Sequence, residues 1–251
     1  AISTQYIMTT LEELGLLKMD FLGLRTLTVI QDTIDLVKQN QGIDVKFDEK
    51  MNDPKVYKLW QNGESVGIFQ FESQGMTNFM KELKPDCLED IIAGVSLYRP
   101  GPMDQIPRYI ANKKDPEHAV YTHPALKPIL EVTYGCMVYQ EQVMQIVRDL
   151  AGYSLGRADL VRRAMGKKKL DVMAKEREIF IHGQTDENGN IVVPGCIRNG
   201  IDEQSANKIF DEMAEFAKYA FNKSHAAAYA VVSYRTAYLK AYYPTEFMAA
   251  M

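Results

Sequence analysis

Apolar positions recur along this chain in two rhythms. Leu27, Ile30, Ile34 and Val37 keep the three-and-four spacing of one helix face, and Asn40-Gln41-Gly42 ends that run. From Asp202 onward, Ile209, Met213, Phe216 and Ala220 line a second face, with Asp211, Glu212 and Glu215 outside. The stretch EFAKYAFNKSHAAAYAVVSY (215–234) predicts a long buried helix seated by its alanines, Tyr229 and Val232. Asp53-Pro54 pairs a capping side chain with a proline at the first helical position and opens a helix through Trp60. Three segments carry the other rhythm or a β-rich composition: LLKMDF (16–21), ended by Gly23, SVGIFQF (65–71) and YGCMVYQ (134–140). Each predicts a short strand. Ser73 is placed to cap the helix after the second, and EQVMQIVRDLAG turns helical after the third. YRPGPM (98–103) predicts a rigid loop, and DENGNIVV (186–193) a surface hairpin around Asn188-Gly189. The expected fold is mostly α, with a few short strands.

Composition narrows the class more than the fold. The 251 residues, 46% hydrophobic and 25% charged, suffice for one large or two modest domains. A net charge of −4 excludes a uniformly basic nucleic-acid coat, so any phosphate must be met by local clusters. Cys87, Cys136 and Cys196 are too scattered for a disulfide framework or a zinc knuckle, and the four histidines are equally dispersed. Without a signal peptide or an apolar run near the roughly 18 residues of a membrane span, a cytosolic chain is expected. Both ends interrupt patterned sequence, which suggests a piece of something larger.

Three constellations could carry chemistry. On a strand, Lys18 and Asp20 share one face, so a cation and a carboxylate stand side by side before a glycine turn. Such a pair could hold a metal beside a phosphate, or be a surface ion pair. LGRADLVRRAMGKKKLD (155–171) gathers Arg157, Arg162, Arg163, Lys167, Lys168 and Lys169 against Asp159 and Asp171, a dense basic patch in an acidic chain. Adjacent arginines suit bidentate phosphate contact; a solvated helix end is the plainer reading. On a continuous helix, Tyr219 and Lys223 are four apart and Asn222 and His225 three apart, giving one polar-aromatic face suited to a nucleotide. Walker, Rossmann, nucleophile-elbow and HExxH patterns are all absent from the sequence.

Several longer motifs occur in order: LLKMDFLGLRTLTVI, GIFQFESQGM, YRPGPM, YGCMVYQEQVMQI, RRAMGKKK and FNKSHAAAYAVVSYRTAYLKAYYPTEFMAA. Together they resemble the α subunit of bacterial DNA polymerase III, the C-family replicative polymerase, across essentially the whole chain. The resemblance implies a C-terminal palm remnant in residues 1–30 and a multi-helical fingers domain in residues 31–251, with a variable hairpin insertion at about 183–200. It implies DNA-directed, template-dependent addition of dNTPs to a primer 3′-hydroxyl by two-metal transfer, usually with Mg²⁺. Asp20 matches the third of the family's three metal-binding carboxylates. The other two belong to an Asp-x-Asp motif absent from this sequence, so the chain alone is expected to be inactive.

Residue by residue, the resemblance gives Lys18 to nucleotide or primer phosphates, Arg162 and Arg163 to the triphosphate, and Tyr219, Asn222, Lys223 and His225 to the nucleotide-binding helix. Lys167, Lys168 and Lys169 form a phosphate patch. Arg99, Gln140 and Glu141 match family motifs and are expected to be structural, an arginine and a glutamate pairing between helices. Template-primer DNA, dNTPs, a sliding clamp and other replisome subunits are the implied partners, in the bacterial cytoplasm at the nucleoid and not at a membrane. Two alternatives belong to other classes: a non-catalytic helical module that binds nucleotide or nucleic acid, and a purely structural helical domain.

Overall fold

The computed structural model describes residues 3–19, 21–166 and 170–251. Within them the chain forms thirteen α-helices and one two-stranded antiparallel sheet. The first six helices are α1 (Met8–Glu13), α2 (Arg25–Gln41), α3 (Pro54–Asn62), α4 (Gln74–Leu83), α5 (Leu88–Leu97) and α6 (Ile106–Lys114). After short 3₁₀ turns come α7 (Lys127–Leu130), α8 (Gln140–Ala151), α9 (Leu155–Gly166) and α10 (Leu170–His182). Strands β1 (Gln184–Thr185) and β2 (Ile191–Val193) form the hairpin, followed by α11 (Glu203–Phe216), α12 (Lys223–Tyr242) and α13 (Pro244–Ala250).

Local chemistry sets most boundaries. The Asp53 carboxylate accepts from the Lys55 N–H at 2.8 Å to start α3, and the Ser73 hydroxyl accepts from Met76 to start α4. Asp202 does the same for α11 through Ser205. Gly42, at φ +67°, stops α2 in the left-handed conformation that glycine adopts without steric cost. The hairpin turns at Gly189, where Asp186 accepts from the backbone N–H groups of Asn188 and Asn190.

Two cores form around these helices. One packs α3, α4 and α5 against α12, with Tyr57, Trp60, Phe71, Ile91, Tyr109 and Tyr234 essentially sealed from solvent. The other joins α8, α9, α10 and α11 over Val143, Val147, Phe180, Ile209, Phe210 and Met213. A small third cluster of Ile30, Leu239 and Phe247 ties α2 and α13 to the end of α12. Helix α12 therefore packs on α2, α3 and α5, and its N-terminal end meets the start of α8.

The expected strands are corrected by where their backbone groups go. Residues 65–71 are a chain of turns: Ile68 N–H donates to the Ser65 carbonyl and Phe71 N–H to that of Ile68. Phe69 is held by side chains of α12, its N–H donating to Thr236 Oγ1 and its carbonyl accepting from Ser233 Oγ. Residues 134–140 form one isolated parallel bridge, Tyr139 to Phe221. Residues 16–19 and Phe21 pair with no strand among the described residues, and Leu17 and Phe21 are 79% and 93% exposed. β-rich composition there reflected anchors for burial, or an extended segment without a ladder.

Candidate functional site

The long helix expected over 215–234 is two helices. α11 ends at Phe216, residues 217–219 turn, and α12 begins at Lys223. The physical cause is Asn222, whose side-chain oxygen accepts from the His225 N–H at 2.8 Å and so starts a new helix. Tyr219 and Lys223 therefore do not share one helical face. The junction is fixed by the Tyr139 bridge: Gln140 N–H donates to the Phe221 carbonyl at 2.8 Å, and Phe221 N–H to that of Val138 at 3.3 Å.

Arg99 locks the same junction from the YRPGPM segment, which runs into a 3₁₀ turn at Pro102–Gln105. Its Nε donates to the Ser96 carbonyl at 3.0 Å, its Nη2 donates to the Tyr219 carbonyl, and its guanidinium stacks 4.3 Å over the Phe221 ring. Burial lowers its pKa from the usual value, yet a guanidinium stays charged. Arg99 has no carboxylate partner among the described residues, so the expected arginine–glutamate pair is not formed. Glu141 instead accepts the Lys223 backbone N–H, at 3.1 and 3.2 Å, and satisfies an orphan donor of the first turn of α12. Gly101, at φ +102°, passes so close beneath the Tyr219 ring that a Cβ there would collide with it. Tyr219 is 44% exposed and borders a cleft of about 340 Å³ that Arg108, Tyr121 and Phe216 also line.

Lys223 reaches back toward α5. Its Nζ lies 3.2 Å from Glu89 Oε1 and 5.2 Å from the Tyr139 ring centroid. His225 lies two residues further along α12, where its ring packs 5.6 Å from Phe221 and 4.3 Å from Tyr229. Asn222, Lys223 and His225 thus gather at the N-terminus of a 20-residue helix, the end that favours anions. Tyr219 sits in the turn before it.

The basic patch is less free than its composition suggests. Arg157 is drawn to Glu176 at 3.2 Å and to Gln184 at 2.6 Å, so it braces the hairpin. Arg162 and Arg163 both clasp Asp159, at 2.7 Å each. The hydrogen bond from Arg162, with the charge of both arginines, holds the Asp159 carboxyl below its ordinary pKa. Neither arginine hydrogen-bonds to Tyr219, Asn222, Lys223 or His225 among the described residues. The end of α9 nevertheless approaches the end of α11, a Cβ on Gly166 standing 3.4 Å from the Ala217 carbonyl. Asp20, Lys167, Lys168 and Lys169 lie outside the described residues; Lys18 lies within them, in the extended segment after α1.

The described residues do not assemble a two-metal centre. Their one clustered donor set, Asp86, Cys87 and Asp90, already carries a cation: the Lys113 ammonium is 3.3 Å from Asp86 and bonded to buried Asp90. Burial raises the Asp90 pKa, with Lys113 pulling against it. The cysteines are free and unreactive by their surroundings, burial pushing Cys87 and Cys136 up to about 11 and Cys196 to about 12. No helix among the described residues is long and apolar enough to cross a membrane.

Sequence reasoning missed Glu89 and underused Asp159. Glu89 lies 134 residues from Lys223 and carries no local signal of that contact. Asp159 stands three and four positions before the two arginines, a spacing that announces ion pairs on a helix.

Residues 26–188 match the family described as the bacterial DNA polymerase III alpha subunit finger domain. Over 99% of its length the chain is 52% identical to DNA polymerase III subunit alpha of Thermus aquaticus, of which it covers 20%. It is 47% identical to the Aquifex aeolicus protein of the same name over 99% of the chain, and 48% to that of Borreliella burgdorferi over 100%. In both cases it covers 21% of the relative, so the chain spans about a fifth of the curated proteins it matches. With more than half its residues inside the matched region, the chain belongs to the bacterial DNA polymerase III alpha subunit finger-domain family.

Proposed function

We propose that this chain is the fingers portion, with a short stretch of palm, of a replicative DNA-directed DNA polymerase, and that it binds the incoming dNTP and the template-primer. The supporting observation is the α11–α12 junction. There a fixed backbone bridge, the Asn222 cap and the Lys223 cation meet at the anion-favouring end of a long helix. In this reading Lys223 meets the triphosphate, Tyr219 and His225 flank the base or sugar, and Asn222 holds the helix end. Arg162 and Arg163 exchange Asp159 for phosphate oxygens as charge develops on the leaving pyrophosphate. Lys167, Lys168 and Lys169 add a non-specific phosphate contact, which makes DNA affinity fall with salt.

Asp20 supplies one carboxylate to a divalent-metal centre, Mg²⁺ by the chemistry of such transfers, whose remaining ligands come from elsewhere in the polymerase. Lys18 faces nucleotide or primer phosphates beside it. The sliding clamp and other replisome subunits engage other parts of that protein, which works in the bacterial cytoplasm at the nucleoid. Asp20→Asn in the full-length subunit is expected to abolish primer extension while template-primer affinity, measured by fluorescence anisotropy, is retained. Robust extension by that variant contradicts the Asp20 assignment.

A further inference from the structure

Lys223 is held in place by side chains of the protein itself. Its ammonium lies 3.2 Å from Glu89 Oε1 and 3.1 Å from Oε2. Glu89 is the second residue of α5, in the first turn, where the helix dipole favours a carboxylate. Its Oε2 is closed off from solvent and has no well-aligned hydrogen bond, so the lysine charge is what compensates it there. On the other side the Tyr139 ring supports the ammonium; that residue is 1% exposed, and its backbone N–H donates to Gln142 Oε1 at 3.0 Å. The Lys223 backbone N–H is meanwhile taken by Glu141. The side chain is folded inward between α5 and α8 and is 33% exposed.

A cation paired this closely attracts a polyphosphate far less than a free one, because the carboxylate repels the same incoming charge. We infer that Glu89 is a positioning residue that latches Lys223, and that an incoming nucleoside triphosphate must displace it to engage the ammonium. This rests on the reading of Lys223 as a triphosphate contact. A latch of this kind keeps the lysine from collecting other anions, and it makes nucleotide affinity depend on a residue that touches no nucleotide. Glu141 differs in kind: it satisfies a backbone donor and stays in place through binding.

The test is a double-mutant cycle in the full-length subunit on primed template, with KM for the next correct dNTP and kcat read separately. Glu89→Gln keeps the size and polarity of the side chain and removes its charge. It is expected to lower KM by about two- to fivefold, the range of a partly exposed ion pair. Lys223→Ala is expected to raise KM, and in that background Glu89→Gln is expected to lower KM clearly less than it does with Lys223 intact. An unchanged or raised KM for Glu89→Gln with Lys223 intact overturns the latch, as does an equal decrease in both backgrounds. If Lys223→Ala alone leaves KM unchanged, the phosphate reading of Lys223 fails first and the latch goes with it. Thermal midpoints of the four proteins separate these outcomes from misfolding.

Discussion

Arg99 shows how much a single side chain can decide here. It has no carboxylate partner among the described residues, and it spends its donors on the carbonyls of Ser96 and Tyr219 while its plane covers Phe221. A guanidinium does all three because its donors are fixed in a planar fork; an ammonium can do one or two. Arg99→Ala is expected to destabilise the protein by about 1.5–3 kcal/mol, the range for hydrogen bonds to a charged group. Arg99→Lys is expected to recover less than half of that loss. Urea unfolding of the three proteins checks it, and full recovery by lysine would show that charge alone matters. The arginine was visible in the sequence, but its partners were not: Tyr219 is 120 residues away, and the bond runs to a carbonyl, which no side-chain pattern reports.

At the scale of elements, the caps were the most legible features. Asp53-Pro54, Ser73, Gly42, Asp202 and the Asn188-Gly189 turn each act through neighbours within a few residues, so local sequence contains the whole interaction. The expected strands at 65–71 and 134–140 failed for the opposite reason. Most of their backbone groups close local turns, the few distant partners come from α12 and from Phe221, and several of their aromatics face inward as core anchors. The break at 217–222 was written in the sequence as Asn222, a good cap, but the alanine-rich run around it reads as continuous helix. The candidate site followed the same rule. Asn222, Lys223 and His225 were recognisable and do cluster at one helix end, whereas Tyr219 arrives by a turn and Glu89 by tertiary packing. Asn222→Ala is expected to cost about 1 kcal/mol through loss of the cap, with Asn222→Asp losing far less. Denaturant midpoints measure this, and equal losses for both variants would contradict a capping role.

Across the whole molecule, two cores meet at one helix end. The α3–α5 core carries the Glu89 side of the site and the α8–α11 core carries Glu141 and the arginine pair. Carboxylates hold several of the connections, and their pKa values make the fold acid-sensitive. Hydrogen bonds and nearby charge hold Asp48, Asp159, Asp186 and Asp202 below the ordinary carboxylate value. A carboxyl depressed by folding contributes stability above its unfolded pKa, near 3.9, and that contribution is lost as pH falls through the folded value. The thermal midpoint is therefore expected to be steady near neutrality and to drop below about pH 4, more shallowly in Asp159→Asn. A profile unaffected by that substitution would mean that Asp159 is no better stabilised folded than unfolded.

The central claim is that the N-terminus of α12 receives the triphosphate of an incoming nucleotide. Single-nucleotide incorporation by full-length subunit carrying Lys223→Ala tests it most directly. The expected result is a KM for dNTP raised by about tenfold, near 1.4 kcal/mol of lost binding, with template-primer affinity unchanged. A KM equal to that of the unmodified subunit would contradict it.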